Sequence, residues 1–138
     1  MVNPAPSRAR RLLIVDDEPH IGLLLRLQLE SRGYELMLAR SLFEARGTLF
    51  AGEPERPDAV LLDLHLPDGY GIDLLRELRE RPATSQLPVM VLTAEGEERV
   101  LAEARRLGAI TVTKPFSPTK LTAQVAAMLG EAAAGDAL

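Results

Sequence analysis

Cysteine is absent from the chain, which excludes disulfides, thiol catalysis and zinc–thiolate centres. Histidine is scarce: His20 and His65 are too few for a histidine-rich metal site. No apolar run approaches the ~18 residues of a spanning helix. The first residues also lack a secretory pattern, so a cytoplasmic protein without membrane insertion is expected. No glycine-rich loop follows the first apolar run, which speaks against a nucleotide cofactor. Basic charge is in deficit, 16 Lys and Arg against 20 Asp and Glu, for a net charge of −4. That balance leaves no global footprint for direct nucleic-acid binding. Lysine itself is rare, with only Lys114 and Lys120 in an arginine-dominated set.

What is present fits one soluble domain. At 138 residues, 46% apolar and 26% charged, the chain can bury a real core. Residues 1–10 carry two prolines and no apolar periodicity, and are expected to form a flexible tail. The domain itself is expected over 11–130, with 131–138 a C-terminal tail or the start of a linker.

Five apolar stretches read as strands: Leu12 to Val15, Tyr34 to Leu38, Ala59 to Leu62, Leu87 to Leu92 and Ala109 to Thr113. The run at Ala59 to Leu62 is continuous and bounded by turn residues, the pattern of a strand buried on both faces. Helical stretches follow each strand. Pro19 suits a first helical turn and Gly33 stops the helix behind it. Ile21, Leu24, Leu25 and Leu29 share one face of that helix, and a second stripe of Leu23 and Leu27 is either part of a partner surface or, as is expected, covered by a neighbouring helix. Ser41 with Glu44 is a capping-box pattern, and a loop over 52–57 leads to the central strand. Ser117 and Pro118 open the last helix. Strand and helix alternating five times call for an α/β, doubly wound, mostly parallel sheet with helices on both faces.

The strand ends carry the chemistry. The first strand runs into Asp16 and Asp17, the third into Asp63, the fourth into Thr93 and the fifth into Lys114. In a parallel sheet all of these lie along the carboxyl edge, where open α/β folds place their ligands. Three crowded carboxylates resist ionising together, and a hard dication relieves the repulsion. Oxygen-only donors favour Mg2+, with Mn2+ as the alternative, and Mg2+ binds alongside phosphate oxygens. The cluster therefore points to a metal and a phosphoryl group, with one carboxylate as a candidate nucleophile. Each residue alone has a plainer use: an Asp-Asp pair ahead of a helix also serves as a cap, and threonine or lysine ends many strands.

Val15-Asp16-Asp17-Glu18-Pro19, Leu62-Asp63-Leu-His-Leu-Pro67-Asp68-Gly69, Leu92-Thr93-Ala94 and Lys114-Pro115-Phe116 together resemble a response-regulator receiver domain of two-component signalling. The resemblance covers roughly 11–130. It implies a flavodoxin-like, CheY-like five-stranded sheet in the order 2-1-3-4-5. It implies a switch rather than an enzyme, one that catalyses only its own Mg2+-dependent phosphotransfer and dephosphorylation. By the same resemblance, Asp63 accepts a phosphoryl group from a histidine kinase or histidine phosphotransfer protein. Asp17, Asp63 and the main-chain carbonyl of His65 bind Mg2+, Asp16 acts partly through water, and Thr93 and Lys114 contact the phosphoryl oxygens. A cis Lys114–Pro115 bond, a downstream effector protein and a phosphorylation-dependent dimer are implied as well, and the side chains at His65 and Glu95 bear on how long the phosphoryl group survives.

Thr111 stands where many members carry a switch aromatic, and the stretch around it lacks the family's acidic pair. A receiver-like interaction module that signals by binding alone is the competing reading. A phosphatase wants a second aspartate two positions after the nucleophile, where this chain has His65. No further domain is expected after Leu129, although a receiver cut from a longer protein would look the same.

Overall fold

In the computed structural model, which describes residues 9–52, 56–94 and 97–130, strand and helix alternate as the pattern requires. The chain runs β1 (Arg11–Val15), α1 (Pro19–Glu30), β2 (Glu35–Ala39), α2 (Leu42–Leu49) and β3 (Ala59–Asp63). A two-stranded hairpin follows, β4 (His65–Leu66) with β5 (Gly69–Tyr70), and then α3 (Gly71–Glu80). The remainder is β6 (Val89–Thr93), α4 (Glu98–Arg106), β7 (Ile110–Thr113) and α5 (Pro118–Met128). The tail expected at 1–10, apart from Ala9 and Arg10, lies outside the described residues, as do the tail at 131–138, residues 53–55 of the loop over 52–57, and Glu95. No helix among the described residues is long and apolar enough to cross a membrane.

The main sheet has the order β2-β1-β3-β6-β7, and every pairing is parallel. This is the expected 2-1-3-4-5 order, renumbered because the hairpin interrupts the count. Side chains alternate between the two faces of a strand, so each central strand feeds two cores. Leu13, Val15, Val60, Leu62, Val89 and Val91 face the side covered by α2, α3 and α4. Leu12, Ile14, Ala59, Leu61, Met90 and Leu92 face the side covered by α1 and α5. Both faces are dry, which is why these strands read as unbroken apolar runs rather than alternating ones.

Helix α1 departs from expectation on its outer side. Gly22, Leu25 and Leu29 are buried against the sheet, but Leu23 and Leu27 are 60% and 62% exposed. No helix among the described residues covers that second stripe. Leu24, assigned to the inward face, is itself 42% exposed. The reason is the edge of the layer: α5 packs on one flank of α1, while the other flank looks out past β2, the outermost strand.

Helix α2 is capped from two directions. Ser41 Oγ accepts from the Glu44 amide at 3.1 Å, and Glu44 returns a carboxylate to the Arg40 amide at 2.9 Å. The two amides in between are taken by Asp68, 26 and 25 residues away, whose oxygens accept from Leu42 (2.8 Å) and Phe43 (2.9 Å). The hairpin after β3 is thereby pinned to the start of α2. These amides, Leu42 first, hold the Asp68 carboxyl below its ordinary value of 3.8, against a smaller opposing effect of burial.

The folded value is the lower one, so this support is present above about pH 4 and is lost as the pH falls through the folded value. Asp68→Asn is therefore expected to be less stable than wild type at neutral pH and to converge with it below about pH 4. Urea unfolding at neutral pH and near pH 3 checks this. A stability gap of the same size at both would refute the assignment.

Candidate functional site

The sheet register brings the polar strand ends to one edge. Val15 pairs with Leu62, Asp63 with Leu92, and Thr93 with Thr113. Asp16 and Asp17 therefore follow β1 at the level where Asp63 ends β3, Thr93 ends β6, and Lys114 steps off β7. One carboxylate oxygen from each of Asp16, Asp17 and Asp63 lies within 4.8 Å of the others. Asp16 and Asp63 are buried, and Asp17 is exposed at the mouth.

Lys114 binds the two buried acids together, with Nζ 3.3 Å from Asp16 Oδ2 and 3.2 Å from Asp63 Oδ2. The other oxygen of each is held by a main-chain donor. Asp16 Oδ1 accepts from the Glu18 amide at 2.8 Å, and Asp63 Oδ1 from the His65 amide at 3.2 Å. Burial raises the Asp16 carboxyl above the ordinary 3.8, and the Glu18 amide and Lys114 offset only part of that. For Lys114, burial works against the charged form, but the combined pull of Asp16 and Asp63 outweighs it and moves the ammonium above 10.5. A lysine in this setting stays charged at any physiological pH.

Thr93 adds an unmet demand. It is 1% exposed, and its hydroxyl has no hydrogen-bond partner among the described residues. A buried hydroxyl without a partner costs about 1–3 kcal/mol, so it marks a place where a further acceptor belongs. The Lys114 amide meanwhile donates to the Thr93 carbonyl at 2.6 Å, tying β7 to the end of β6. The Lys114–Pro115 peptide is cis, as the resemblance implies.

The site opens into a cavity of about 690 Å³ lined by Asp17, Glu18, Asp63, His65, Pro67 and Lys114. The cluster of Asp16, Asp17 and Asp63 offers only oxygen donors, with a cation on one flank, which fits a hard divalent ion. His20 also lines the cavity, but its Nδ1 lies 3.3 Å from Glu18 Oε1. The His65 ring does not turn into this donor set. Its Nε2 lies 2.5 Å from Glu97 Oε1, and its edge meets the Tyr70 ring at 5.9 Å. Thr111, in the place of the aromatic, accepts from Arg105 Nε at 3.1 Å. Three features escaped the sequence: the β4–β5 hairpin, the Asp68 clasp on α2, and the His65–Glu97 pair. Only the first left a local trace, the Pro67-Asp68-Gly69 turn.

Residues 12–126 match the family model of the response regulator receiver domain. Among curated proteins, the chain is 41% identical over 123 residues to the phosphate regulon transcriptional regulatory protein PhoB of Rhizobium meliloti, covering 88% of this chain and 53% of that protein. It is 39% identical over 121 residues to the alkaline phosphatase synthesis transcriptional regulatory protein PhoP of Bacillus subtilis, covering 87% and 48%. The chain thus spans about half the length of the curated relatives it matches. Among solved structures, a putative response regulator from Chloroflexus aurantiacus superposes with a TM-score of 0.80 at 34% identity, over 89% of this chain and 99% of that one.

Proposed function

The chain belongs to the response-regulator receiver family, a family of signalling switches, and on that footing we propose that it is a phospho-acceptor whose Asp63 takes a phosphoryl group from a phosphohistidine on a kinase or phosphotransfer protein. The observation that carries this reading is the convergence on Asp63. A buried carboxylate, two further acids, a charged lysine and an unsatisfied hydroxyl meet at one open edge.

In the step itself an oxygen of Asp63 attacks phosphorus, the O–P bond forms, and the P–N bond breaks with its electron pair leaving on the donor imidazole. Lys114 passes from the carboxylates to a phosphoryl oxygen, and the Thr93 hydroxyl donates a hydrogen bond to another. Asp16, Asp17 and Asp63, with the carbonyl of His65, would hold Mg2+, or Mn2+ in its place, which supplies charge neutralisation and orientation for the transferred group. Loss of the group is the reverse in kind, with water attacking the same phosphorus and Asp63 leaving. The domain spans 11–130 in this reading and works in the cytoplasm. The new charge, about −2, alters the face that a downstream effector or a second receiver reads.

Treatment with phosphoramidate and Mg2+, followed by intact mass, tests the proposal. One added phosphoryl group is expected, and an unchanged mass overturns it. A second experiment weighs the lysine. Lys114→Met removes a cation from beside the metal ligands and frees two carboxylates, so Mg2+ should bind roughly tenfold more tightly. Fluorescence or calorimetric titration with Mg2+ reads this, and weaker binding would contradict the placement of Lys114.

Thr111 favours one other reading. A hydroxyl held by Arg105 cannot swing as a buried aromatic does, which suits a module that binds its partner alike in both states. Equal partner affinity before and after phosphorylation would favour it over a switch.

A further inference from the structure

His65 lies on the wall between two cavities. One is the phospho-acceptor cavity with Asp17, Asp63 and Lys114. The other, about 340 Å³, sits between α3 and α4 and is lined by Leu64, Tyr70, Ile72, Arg76, Glu97 and Val100. Across that second cavity its imidazole holds Glu97 at 2.5 Å. Glu97 is the N-cap residue of α4, and its side chain caps none of that helix's own amides. The start of α4 is therefore tied to the hairpin after Asp63 by this side-chain pair. Further along, Arg76 on α3 holds Glu103 through two parallel bonds, 2.5 and 2.7 Å, which anchors the middle of the same helix. The two ends of the α3–α4 contact thus differ. The Arg76–Glu103 end lies away from the site, while the His65–Glu97 end stands two residues from Asp63.

We propose that His65 is a two-position tie: with Asp63 unmodified its imidazole holds Glu97 and the first turn of α4, and a phosphoryl group on Asp63 takes the imidazole over and releases that turn. The proposal rests on the phospho-acceptor reading of Asp63. Two observations carry it further. The His65 amide already donates to Asp63 Oδ1 at 3.2 Å, so the backbone that bears the ring is in direct contact with the carboxylate that is modified. The acceptors are also unequal, because Glu97 offers one half-buried carboxylate charge whereas a phosphoryl group brings close to two and three strong acceptor oxygens. The donor can follow the stronger acceptor without changing its protonation. Tyr70 packs against the ring in a T-shaped contact, 5.9 Å between centroids.

Hydrogen exchange of the intact protein, read at the Leu101 amide that closes the first turn of α4 on the Glu97 carbonyl at 2.9 Å, tests this alongside intact mass in the same samples. Unphosphorylated Glu97→Ala should exchange there about tenfold faster than wild type, since one local tie is lost. Glu97→Gln keeps an acceptor for Nε2 and should stay near wild type. Wild type carrying a phosphoryl group from phosphoramidate should exchange as fast as Glu97→Ala. His65→Ala should be fast from the start and gain nothing more there on phosphorylation. A protected first turn in Glu97→Ala, or in wild type whose mass confirms the phosphoryl group, overturns the tie alone. A further rise in phosphorylated His65→Ala also overturns it, because α4 would then answer to another trigger. A wild type that gains no mass overturns the phospho-acceptor reading and the tie with it.

Discussion

Asp63→Asn is expected to gain no phosphoryl mass under conditions in which wild type is converted to the singly phosphorylated form. The loss should be complete rather than partial, because the substitution removes the nucleophilic oxygen and leaves the surroundings in place. Asparagine matches aspartate in shape, and its amide oxygen can still accept from the His65 amide, now 3.2 Å from Asp63 Oδ1. Folding should therefore survive, and far-ultraviolet circular dichroism should match wild type. The variant also carries an electrostatic signature. Asp63 is one of the charges that push the Asp16 carboxyl up, so its neutralisation should let Asp16 ionise at lower pH. Intact mass after phosphoramidate and Mg2+ decides the first point. Phosphoryl gain on Asp63→Asn equal to wild type would place the acceptor elsewhere.

Gly71→Ala should destabilise the fold and slow phosphorylation together, although alanine is the better helix former. Gly71 opens α3 directly behind the hairpin, and its amide donates to the Leu64 carbonyl at 2.8 Å. A Cβ built there overlaps the main-chain carbonyl oxygen of Asp63 and comes within 3.2 Å of Leu62 Cδ1. The obstacle is backbone, which cannot turn aside as a flexible side chain would. Overpacking of this kind costs about 1–3 kcal/mol. The helical preference of alanine over glycine, up to about 1 kcal/mol in a helix interior, counts for less at a first position. A net loss is the expected outcome of urea unfolding. Because the displaced atom belongs to Asp63 itself, phosphoryl transfer should slow even though every charged group of the site is retained. A variant as stable and as readily phosphorylated as wild type would show that Gly71 is there for some other reason.

Much of the site was legible because its members stand at strand ends. Four apolar stretches that each break at an acid, a hydroxyl or an ammonium say which residues share an edge, provided the strands are parallel. Alternation with helices makes them so. The crowding of Asp16, Asp17 and Asp63 follows from that topology, and the bridging position of Lys114 is the electrostatic answer to it. The family motifs at these positions added the order of the strands and the cis bond. The second stripe on α1 is exposed rather than covered. Leu23 and Leu27 look alike whether a helix lies over them or not, since periodicity reports which residues share a face and not what stands opposite it.

What the chain determines by itself is whatever depends on near neighbours and on chemical type: the strand runs, the Ser41 and Ser117 caps, the acids at the strand mouths, the absence of cysteine. Tertiary structure alone decided the contacts between residues far apart along the chain. Asp68 reaches α2 across 26 residues, and His65 reaches Glu97 across 32. No local pattern encodes such a pairing, because a surface carboxylate has the same propensity whichever amide or imidazole it meets. Its partner is chosen only when packing of the two apolar faces has set the distance between the elements that carry them.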